Sequence, residues 1–405
     1  MKVAFVTGRL QSGHPAGSAA GAPGAVIPAV RAREAAKRTI LVIGALPPPY
    51  HGGSVVTQTL LESALADRYD LLHLDITDRR GVENIGRLDA GNVWLAAAHG
   101  SRFLAMLLRN RIDIVYVPVA QNTLGFLRDV LFLAPAAIRG IPMVLHFHNG
   151  SYGEFVRTAP APVRILIRAL LGRAQRAIVL GSALRPMLDS VVPSERIEVV
   201  PNCVLDATPV VRRAEQPESP MQVLFLGNLI PAKGYVELVR AVETLVADGF
   251  DMSVVLAGGG MDERARRQVL AQTTIPARIR FTGPVDTAAK SVLLSEAHVL
   301  ALPSYYENEA HPLVILEAMA AGLPVVSTRF VAIPEMVSDG ATGLLVEPRD
   351  ISGLAQALRL LAEDSALRRR MGEAGRARYL AQFTVPQWVE RMSNVFDAVG
   401  ATHTR

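Results

Sequence analysis

The sequence predicts an α/β protein made of two doubly wound parallel sheets, one in each half of the chain. Short, unbroken apolar runs rich in β-branched residues alternate with helical patterns, as expected of strands that are buried on both faces of a parallel sheet. The alternation stops in the aperiodic residues 206–220, which mix Pro, Glu, Arg and Thr, and then begins again. A chain of 405 residues is long enough to build two cores.

The first half begins its alternation with a strand at residues 39–44. We expect residues 1–38, rich in Ala, Gly and Pro, to be a poorly ordered extension, with an edge strand at residues 2–7 as the alternative. After the first strand, Gly52 and Gly53 lie in a predicted loop that precedes a helix from about Val55, which makes half of a βαβ unit. Further strands are predicted at residues 71–74, 112–117, 143–147, 177–180 and 197–200.

Two histidines stand where the strand at residues 143–147 ends. In doubly wound sheets, ligands bind beyond the carboxyl ends of the strands. Side chains alternate along a strand, so His146 and His148 face the same side and at most one lies at the tip. We expect His148, which is followed by Asn149-Gly150, to contact a ligand; the alternative is a buried, hydrogen-bonded histidine.

The second half restarts with a strand at residues 222–226, which ends in Gly227 and Asn228. Lys233 follows just before a predicted helix, where its flexible ammonium can meet an anion; the alternative is a solvated loop lysine. Further strands are predicted at residues 253–257, 280–283, 299–302, 324–328 and 343–346, with helices at 235–248, 263–272, 288–296, 351–363, 366–381 and 386–399.

These patterns divide the chain into domains. Residues 39–205 form the predicted N-terminal domain and residues 221–385 the C-terminal domain, joined by the linker 206–220. The final segment, residues 386–405, is a predicted helix, and packing back on the N-terminal domain is one arrangement open to it.

Residues 302–328 carry the densest functional signal. They read as a strand end, a polar loop, a helix entered through His311-Pro312, a Gly-Leu-Pro stop and another strand. With the helix starting near Pro312, Glu309 lies just before it and Glu317 lies inside it. Both carboxylates can face a ligand at the helix N-terminus, where free N–H groups and the macrodipole favour an anion. An anionic ligand with several hydroxyls would suit such a site.

The composition limits the kinds of partner and the cellular location that we expect for this protein. The formal net charge of +5 permits an anionic ligand or membrane surface without requiring nucleic acid. One cysteine, Cys203, excludes an internal disulfide and a cysteine-based metal cage, and no apolar run is long enough to span a bilayer, so we expect a cytoplasmic protein. Residues 160–176 predict a basic amphipathic helix, which either rests on anionic lipid at the inner face of a membrane or packs with a solvated face. No aromatic residues interleave with its arginines, which argues against nucleic-acid binding.

Most of residues 221–350 closely resemble the retaining, family-4-type glycosyltransferases of the GT-B fold. The resemblance rests on Glu309 and Glu317 with the following Ala-Met-Ala-Ala-Gly-Leu-Pro-Val-Val-Ser-Thr, and on several shorter motifs in the family's order. The first half resembles the family more loosely, through its paired glycines, the strand-end histidine and Val200-Pro201-Asn202. The shorter motifs of the second half are Gly227 with Lys233-Gly234, Phe281-Thr282-Gly283, Ile333-Pro334-Glu335, and Asp339-Gly340 with Thr342-Gly343-Leu344-Leu345-Val346.

The resemblance implies two Rossmann-like domains that face a central cleft, with a nucleotide sugar held mainly by the second domain. Glu317 would bind the ribose, Glu309 and His148 (less favoured, His146) would contact the donor sugar, and Lys233 would neutralise the diphosphate. His148, Lys233 and Glu309 are thus the expected catalytic residues. No metal or other cofactor is implied. Further donor contacts are expected from Gly52, Gly53, Gly227, Asn228, Gly283, and the segment His311, Pro312, Leu313 and Val314.

The expected reaction is transfer of a hexosyl unit from a nucleotide diphosphate sugar to a hydroxyl of a glycan or lipid-linked acceptor, with retained anomeric configuration, in surface polysaccharide or glycolipid synthesis. Same-face attack is favoured because no residue obviously supplies a covalent nucleophile. The alternatives are a sugar-nucleotide epimerase, a glycogen-synthase-like enzyme, or a protein that binds a nucleotide sugar without turnover.

Two residues depart from the family pattern. Asn228 stands where many members carry an arginine, so either another arginine substitutes or the helix dipole and Lys233 stabilise the leaving group. Cys203 stands where a glycine is common after the Pro-Asn pair, which concerns the hinge and not the chemistry.

Overall fold

The computed structural model describes residues 37–48, 52–78, 89–206 and 220–401. Of residues 400 and 401 it describes the backbone only. These described residues belong to one compact unit. The predicted extension, up to residue 36, and residues 207–219 of the predicted linker lie outside the described residues.

A six-stranded parallel sheet forms the first half of this unit. Its strands are β1 (Thr39–Gly44), β2 (Asp70–Asp75), β3 (Ile114–Pro118), β4 (Met143–His146), β5 (Arg176–Val179) and β6 (Ile197–Val199). They lie side by side in the order β2-β1-β3-β4-β5-β6, so the winding direction reverses between β1 and β3. The helices of this half are α1 (Gly52–Glu62), α2 (Leu65–Arg68), α3 (Ala90–Arg109), α4 (Thr123–Ile138), α5 (Tyr152–Thr158) and α6 (Ala161–Leu171).

A second six-stranded parallel sheet follows. Its strands are β7 (Met221–Leu226), β8 (Met252–Ala257), β9 (Ile279–Gly283), β10 (Val299–Leu302), β11 (Val325–Thr328) and β12 (Gly343–Val346). Their order is β12-β11-β10-β7-β8-β9, with the reversal between β7 and β10. The helices are α7 (Tyr235–Ala247), α8 (Glu263–Gln272), α9 (Thr287–Glu296), α10 (Leu313–Ala320), α11 (Ile333–Met336), α12 (Ile351–Glu363), α13 (Ser365–Gln382) and α14 (Val385–Ala401). The two sheets confirm the predicted fold class.

The apolar runs form strands because their side chains are covered on both faces. Ile40, Leu41, Val42 and Ile43 of β1 have no exposed surface, and they divide between two core clusters on opposite faces of the sheet. One of these clusters includes α14, whose Trp388 and other apolar side chains pack on the N-terminal sheet. The last helix of the chain therefore completes the core of the first domain.

Two predicted boundaries in the N-terminal domain are wrong. Gly52 and Gly53 form the first turn of α1 instead of a loop, and Thr57 Oγ1 donates to the Gly53 carbonyl at 2.9 Å within that helix. The basic helix predicted over residues 160–176 ends at Leu171, because Arg176 already starts β5 and pairs with Glu198 at 3.3 Å. Sequence periodicity extended this helix across a turn that the strand pairing requires.

Candidate active site

Two of the expected catalytic residues, Lys233 and Glu309, follow the two strands between which the winding of the C-terminal sheet reverses. β7 and β10 are hydrogen-bonded neighbours, so the loops at their carboxyl ends lie side by side. Lys233 lies in the loop after β7 and Glu309 in the loop after β10. Open α/β sheets bind ligands in the crevice at such a switch point.

Lys233 and Glu309 form an ion pair in this crevice. Lys233 Nζ lies 3.2 Å from Glu309 Oε2, and the two side chains are 19% and 7% exposed. Ser304 Oγ donates a second hydrogen bond to the same carboxylate oxygen at 2.8 Å. The Glu309 carboxylate is largely buried and bound by two donors, which hold it in one orientation. The residue expected to bind the sugar, Glu309, is thus in direct contact with the residue expected to bind the diphosphate, Lys233.

Close backbone packing fixes the lysine loop. Gly234 has a φ of +83°, and an added Cβ would lie 2.2 Å from the Pro303 carbonyl oxygen, so this position requires glycine on both counts. The Tyr305 N–H donates to the Ala232 carbonyl at 2.8 Å. These contacts join the two loops and set the direction in which Lys233 points.

The N-terminus of α10 lies directly after Glu309 and has no side-chain cap. Its N-cap residue is Pro312, whereas α8 and α9 begin with Asp262 and Asp286, whose carboxylates accept from the first-turn amides. Pro312 itself has no N–H, so among the expected donor contacts from His311 to Val314 it can offer no backbone hydrogen bond to a phosphate. The first-turn amides of Leu313 and Val314 have no partner within the helix and are available to an anion.

His311 contributes its backbone and not its ring. The side chain is buried at 4% exposure with its ring 5.7 Å from that of Phe383, and burial lowers its pKa to about 3. Its carbonyl accepts a 2.9 Å hydrogen bond from Asn202 Nδ2. The Pro-Asn pair that ends the first domain thus positions the segment leading into α10.

Glu317 lies in the second turn of α10 and forms an ion pair with Lys290 of α9. Both side chains are partly exposed, at 18% for Glu317 and 28% for Lys290. Sequence reasoning missed Lys290. The available signal was its place in the first turn of the helix after Gly283, one of the expected donor contacts.

The strand-end glycines bring a second cation to the site. Gly258, at the end of β8, packs so closely on Gly227 that an added Cβ would lie 1.8 Å from the Gly227 carbonyl oxygen, and its N–H donates to the Gly283 carbonyl at 2.9 Å. Beside Gly283, an added Cβ would lie 3.4 Å from Arg266 Nη2. The arginine comes from α8, so it was not apparent from the Asn228 position, two strands away.

Across the cleft, His146 and His148 occupy different environments. His146 is fully buried, with Nδ1 2.6 Å from the Tyr116 hydroxyl, and burial with nearby His148 holds its pKa well below the usual value. His148 is partly exposed just after the strand end, and the two rings lie against each other with centroids 4.0 Å apart and planes tilted by 33°. Of the two rings, His148 is therefore the more exposed, and His146 lies in the interior.

The loop after His148 touches the loop that carries Glu309. An added Cβ at Gly150 would lie 2.1 Å from the Glu309 carbonyl oxygen. Ser151 and Gln121 both hydrogen-bond the Asn308 side chain. These contacts bring the histidine loop of the first domain to the carboxylate loop of the second.

Gly52 and Gly53 stand apart from these contacts. They begin α1 beyond β1, and this helix packs on β1, where an added Cβ at Gly44 would lie 2.5 Å from Thr57 Oγ1. An added Cβ at Gly52 would meet no atom within 4 Å. The backbone at this position is therefore open to close approach.

None of the helices among the described residues is both long and apolar enough to cross a lipid bilayer.

Two family models match the chain in succession. Glycosyltransferase Family 4 matches residues 65–206, and Glycosyl transferases group 1 matches residues 209–378. Together they cover β2 to β12 and end within α13, while β1 and α1 precede the first match.

Curated relatives are about a third identical to this chain over the segments that align. The N-acetyl-alpha-D-glucosaminyl L-malate synthase of Bacillus anthracis is 30% identical, over 54% of this chain and 58% of the relative. A glycogen synthase of Mycobacterium tuberculosis is 33% identical over 62% of each chain. The match thus spans less than two thirds of the length of either relative.

Solved structures share the fold at low sequence identity. Sucrose-phosphate synthase from Thermosynechococcus elongatus has a TM-score of 0.72 at 20% identity, covering 90% of this chain and 100% of that one. The Anabaena protein HepE in complex with UDP-glucose has a TM-score of 0.68 at 17% identity, covering 89% and 99%.

Proposed function

Since this chain belongs to the family 4, group 1 glycosyltransferases, we propose that it transfers a hexosyl unit from a nucleotide diphosphate sugar to an acceptor hydroxyl with retention of configuration. The observation that carries the proposal is the Lys233–Glu309 pair beside the uncapped N-terminus of α10, at the switch point of the sheet. This arrangement offers a cation and free amides for a diphosphate, and a fixed carboxylate for a sugar.

We assign the donor as follows. The diphosphate lies over the amides of Leu313 and Val314 and displaces Lys233 Nζ towards its oxygens, while Glu309 accepts from sugar hydroxyls. Glu317 accepts from the ribose hydroxyls, with Lys290 holding its carboxylate. The surrounding contacts assigned to the donor are Gly52, Gly53, Gly227, Asn228, Gly283, His311 and Pro312.

The proposed step breaks the bond between the anomeric carbon and the β-phosphate oxygen and forms a bond from that carbon to the acceptor oxygen on the same face. The departing phosphate oxygen accepts the acceptor's proton, so the products are a glycoside and a nucleoside diphosphate. Lys233 and the α10 amides stabilise charge that grows on the leaving group. His148 contacts the sugar from the opposite wall, and Glu309 positions it, so glycosidase carboxylate rules do not apply.

Arg266 is our proposal for the cation absent at Asn228. Its Nε is buried with no hydrogen-bond partner among the described residues, and its Nη2 lies beside Gly283 at the end of β9. Neighbouring strands are about 4.8 Å apart, so this guanidinium is roughly 10 Å from the end of β7, towards the nucleoside end of an extended donor. Arg266 thus supplies the positive charge that Asn228 lacks, but from a different position in the site.

A donor screen tests the function. Purified protein is incubated with UDP-, GDP- and ADP-hexoses and glycan or lipid-linked acceptors, and products are followed by mass spectrometry. We expect one donor to be consumed with formation of a hexosylated product whose anomeric signal in NMR matches that of the donor. An inverted product contradicts retention, and tight donor binding without transfer favours a binding protein.

A glycogen-synthase-like activity is the second candidate, because a glycogen synthase is among the relatives. It predicts repeated addition to a glucan primer, seen as a ladder of products, where the first proposal predicts a single addition. A free epimerised donor without glycoside formation would favour an epimerase.

We further propose that the acceptor belongs to surface polysaccharide or glycolipid synthesis, that the protein works in the cytoplasm at the inner face of a membrane, and that catalysis needs no metal. Lys233 and the helix amides supply the positive charge that a divalent cation supplies elsewhere. Activity should therefore survive EDTA, and a loss that Mg²⁺ restores would contradict metal independence.

A further inference from the structure

Large apolar side chains are exposed mainly on one part of the first domain. Of thirteen such side chains among the described residues, nine lie on α3, α4 and α6. The most exposed are Trp94 at 71% and Leu108 at 73% on α3, Ile138 at 84% on α4 and Ile165 at 67% on α6. We call the outward surface of these three helices, with the loops that flank them, the α3–α4–α6 face.

These helices are neighbours, so their outer faces join. α3 packs against α4 and α4 against α6. An added Cβ at Gly100 of α3 would lie 3.4 Å from Leu131 of α4. The inner faces carry separate residues, such as Phe103 and Phe126, which are fully buried in the core. The outer apolar residues therefore do not contribute to the packed interior.

Along each helix the exposed apolar residues keep a helical spacing. Trp94, Leu104 and Leu108 on α3 are separated by ten and four positions, and Leu127 and Leu131 on α4 by four, which places each set on one side of its helix. The exposed apolar residues of these helices are therefore grouped by side and by neighbouring helix.

The same region holds the net charge of the protein. Residues 89–173 contain nine arginines, no lysine and four acidic residues, a formal charge of +5, which equals the value for all 405 residues. Of the acids, Asp129 is buried against Arg128, and Asp113 and Glu154 pair with arginines. Exposed arginines around the apolar residues are Arg102, Arg109, Arg168 and Arg173.

We propose that the α3–α4–α6 face docks on a bilayer that contains anionic phospholipids. Apolar side chains with a tryptophan suit the boundary between headgroups and acyl chains, and guanidinium groups bind phosphate oxygens in pairs of hydrogen bonds. This proposal rests on the membrane association given under the proposed function and identifies the surface responsible for it. Docking by this face requires neither a bound donor nor turnover.

Vesicle binding tests the proposal on the full chain. The protein is mixed with vesicles of phosphatidylcholine alone or with phosphatidylglycerol and then sedimented. Of the two tryptophans, Trp388 is 1% exposed, so a shift of emission to shorter wavelength reports Trp94. We expect binding and the shift only with phosphatidylglycerol, both weakened by high salt.

Paired variants locate the contact. Arg102→Gln with Arg168→Gln should weaken binding by about fivefold for each arginine removed. Arg369→Gln with Arg370→Gln on α13, also exposed, removes equal charge from the other domain and should leave binding unchanged. Leu108→Glu with Ile165→Glu should abolish binding, whereas Leu360→Glu with Leu380→Glu should not.

Several results would overturn the proposal. These are absence of binding, equal binding to neutral vesicles, or equal losses in the test and control variants. A dimer by light scattering that Leu108→Glu disrupts, without vesicle binding, would assign the face to self-association. Donor turnover is measured separately, so its failure leaves the vesicle result intact.

Discussion

At the scale of single residues, Lys233 and Glu309 neutralise each other's charge. Their ion pair is nearly out of solvent, and Ser304 supplies the remaining donor. When one partner of such a pair is removed, the other stays behind as an uncompensated charge. Each residue therefore contributes to stability as well as to the proposed chemistry.

We predict that Lys233→Ala lowers kcat by about 10²- to 10³-fold, as loss of one preorganised donor does, and also lowers the free energy of unfolding by about 3 kcal/mol. The double variant Lys233→Ala with Glu309→Gln should recover most of the stability and none of the activity. Urea unfolding and steady-state kinetics measure the two quantities. Full stability in the single variant would contradict the buried pair.

Buried histidines should make the protein sensitive to acid. Burial holds the pKa of His311 at about 3 in the folded protein, against about 6.5 when unfolded. Between these values the unfolded chain binds more protons, so this contribution is complete above pH 6.5 and falls by about 1.4 kcal/mol per unit as the pH drops. Burial lowers the pKa of His146 in the same way, whereas it raises the pKa of Asp129, which acts in the opposite direction.

We predict that His311→Gln flattens the plot of unfolding free energy against pH between about pH 6 and 4, by up to about 1.4 kcal/mol per unit. Urea unfolding at a series of pH values measures the slope. Parallel curves for the variant and the unaltered protein would show that His311 is not the buried neutral group described.

At the scale of elements, the site depends on what α9 and α10 present at their N-terminal ends. α9 is capped by Asp286 and offers Lys290, whereas α10 is preceded by Pro312 and keeps its amides free. The ion pair from Lys290 to Glu317 links the two helices. It holds the carboxylate that we assign to the ribose before a donor arrives.

We predict that Glu317→Ala raises the donor KM by about tenfold or more with a smaller change in kcat, because the lost interaction is present in both ground and transition states. Lys290→Gln should raise KM less, and Lys290→Arg should restore it. Initial rates against donor concentration separate the two constants. A fall in kcat alone would move Glu317 from donor binding to the chemical step.

At the scale of the whole molecule, the chain returns from the second sheet to the first through α14. α14 packs on the N-terminal sheet, and its Phe396 is fully buried with ring contacts to Tyr69 at 5.5 Å and Tyr116 at 6.2 Å. Elsewhere, the Glu335 carboxylate accepts from the amides of Ser182 and Ala183 at 2.8 and 2.7 Å. Both contacts connect residues far apart in the sequence, so they fix the halves that form the cleft.

We predict that Phe396→Ala lowers the free energy of unfolding by about 3–5 kcal/mol through the cavity it leaves. Leu380→Ala on α13, 44% exposed, is the matched control and should change stability by less than about 1 kcal/mol. Denaturant unfolding followed by the emission of Trp388, which lies in the same core cluster, measures the effect. Equal small losses in both variants would mean that α14 contributes little to the first domain.

The sequence alone determined the two sheets, because fully buried parallel strands need continuous apolar runs, and it determined the stretch from Glu309 to Glu317, where turn and helix signals are local. The sequence did not predict that Gly52 begins a helix or that α6 ends at Leu171, and it did not identify Lys290 as the partner of Glu317. Helix boundaries and ion pairs depend on neighbours distant in the chain. The tertiary structure decided which groups meet: Lys233 with Glu309, His148 with His146, and the apolar residues of three helices on one basic face. Such contacts follow from strand order and packing, which periodicity does not encode.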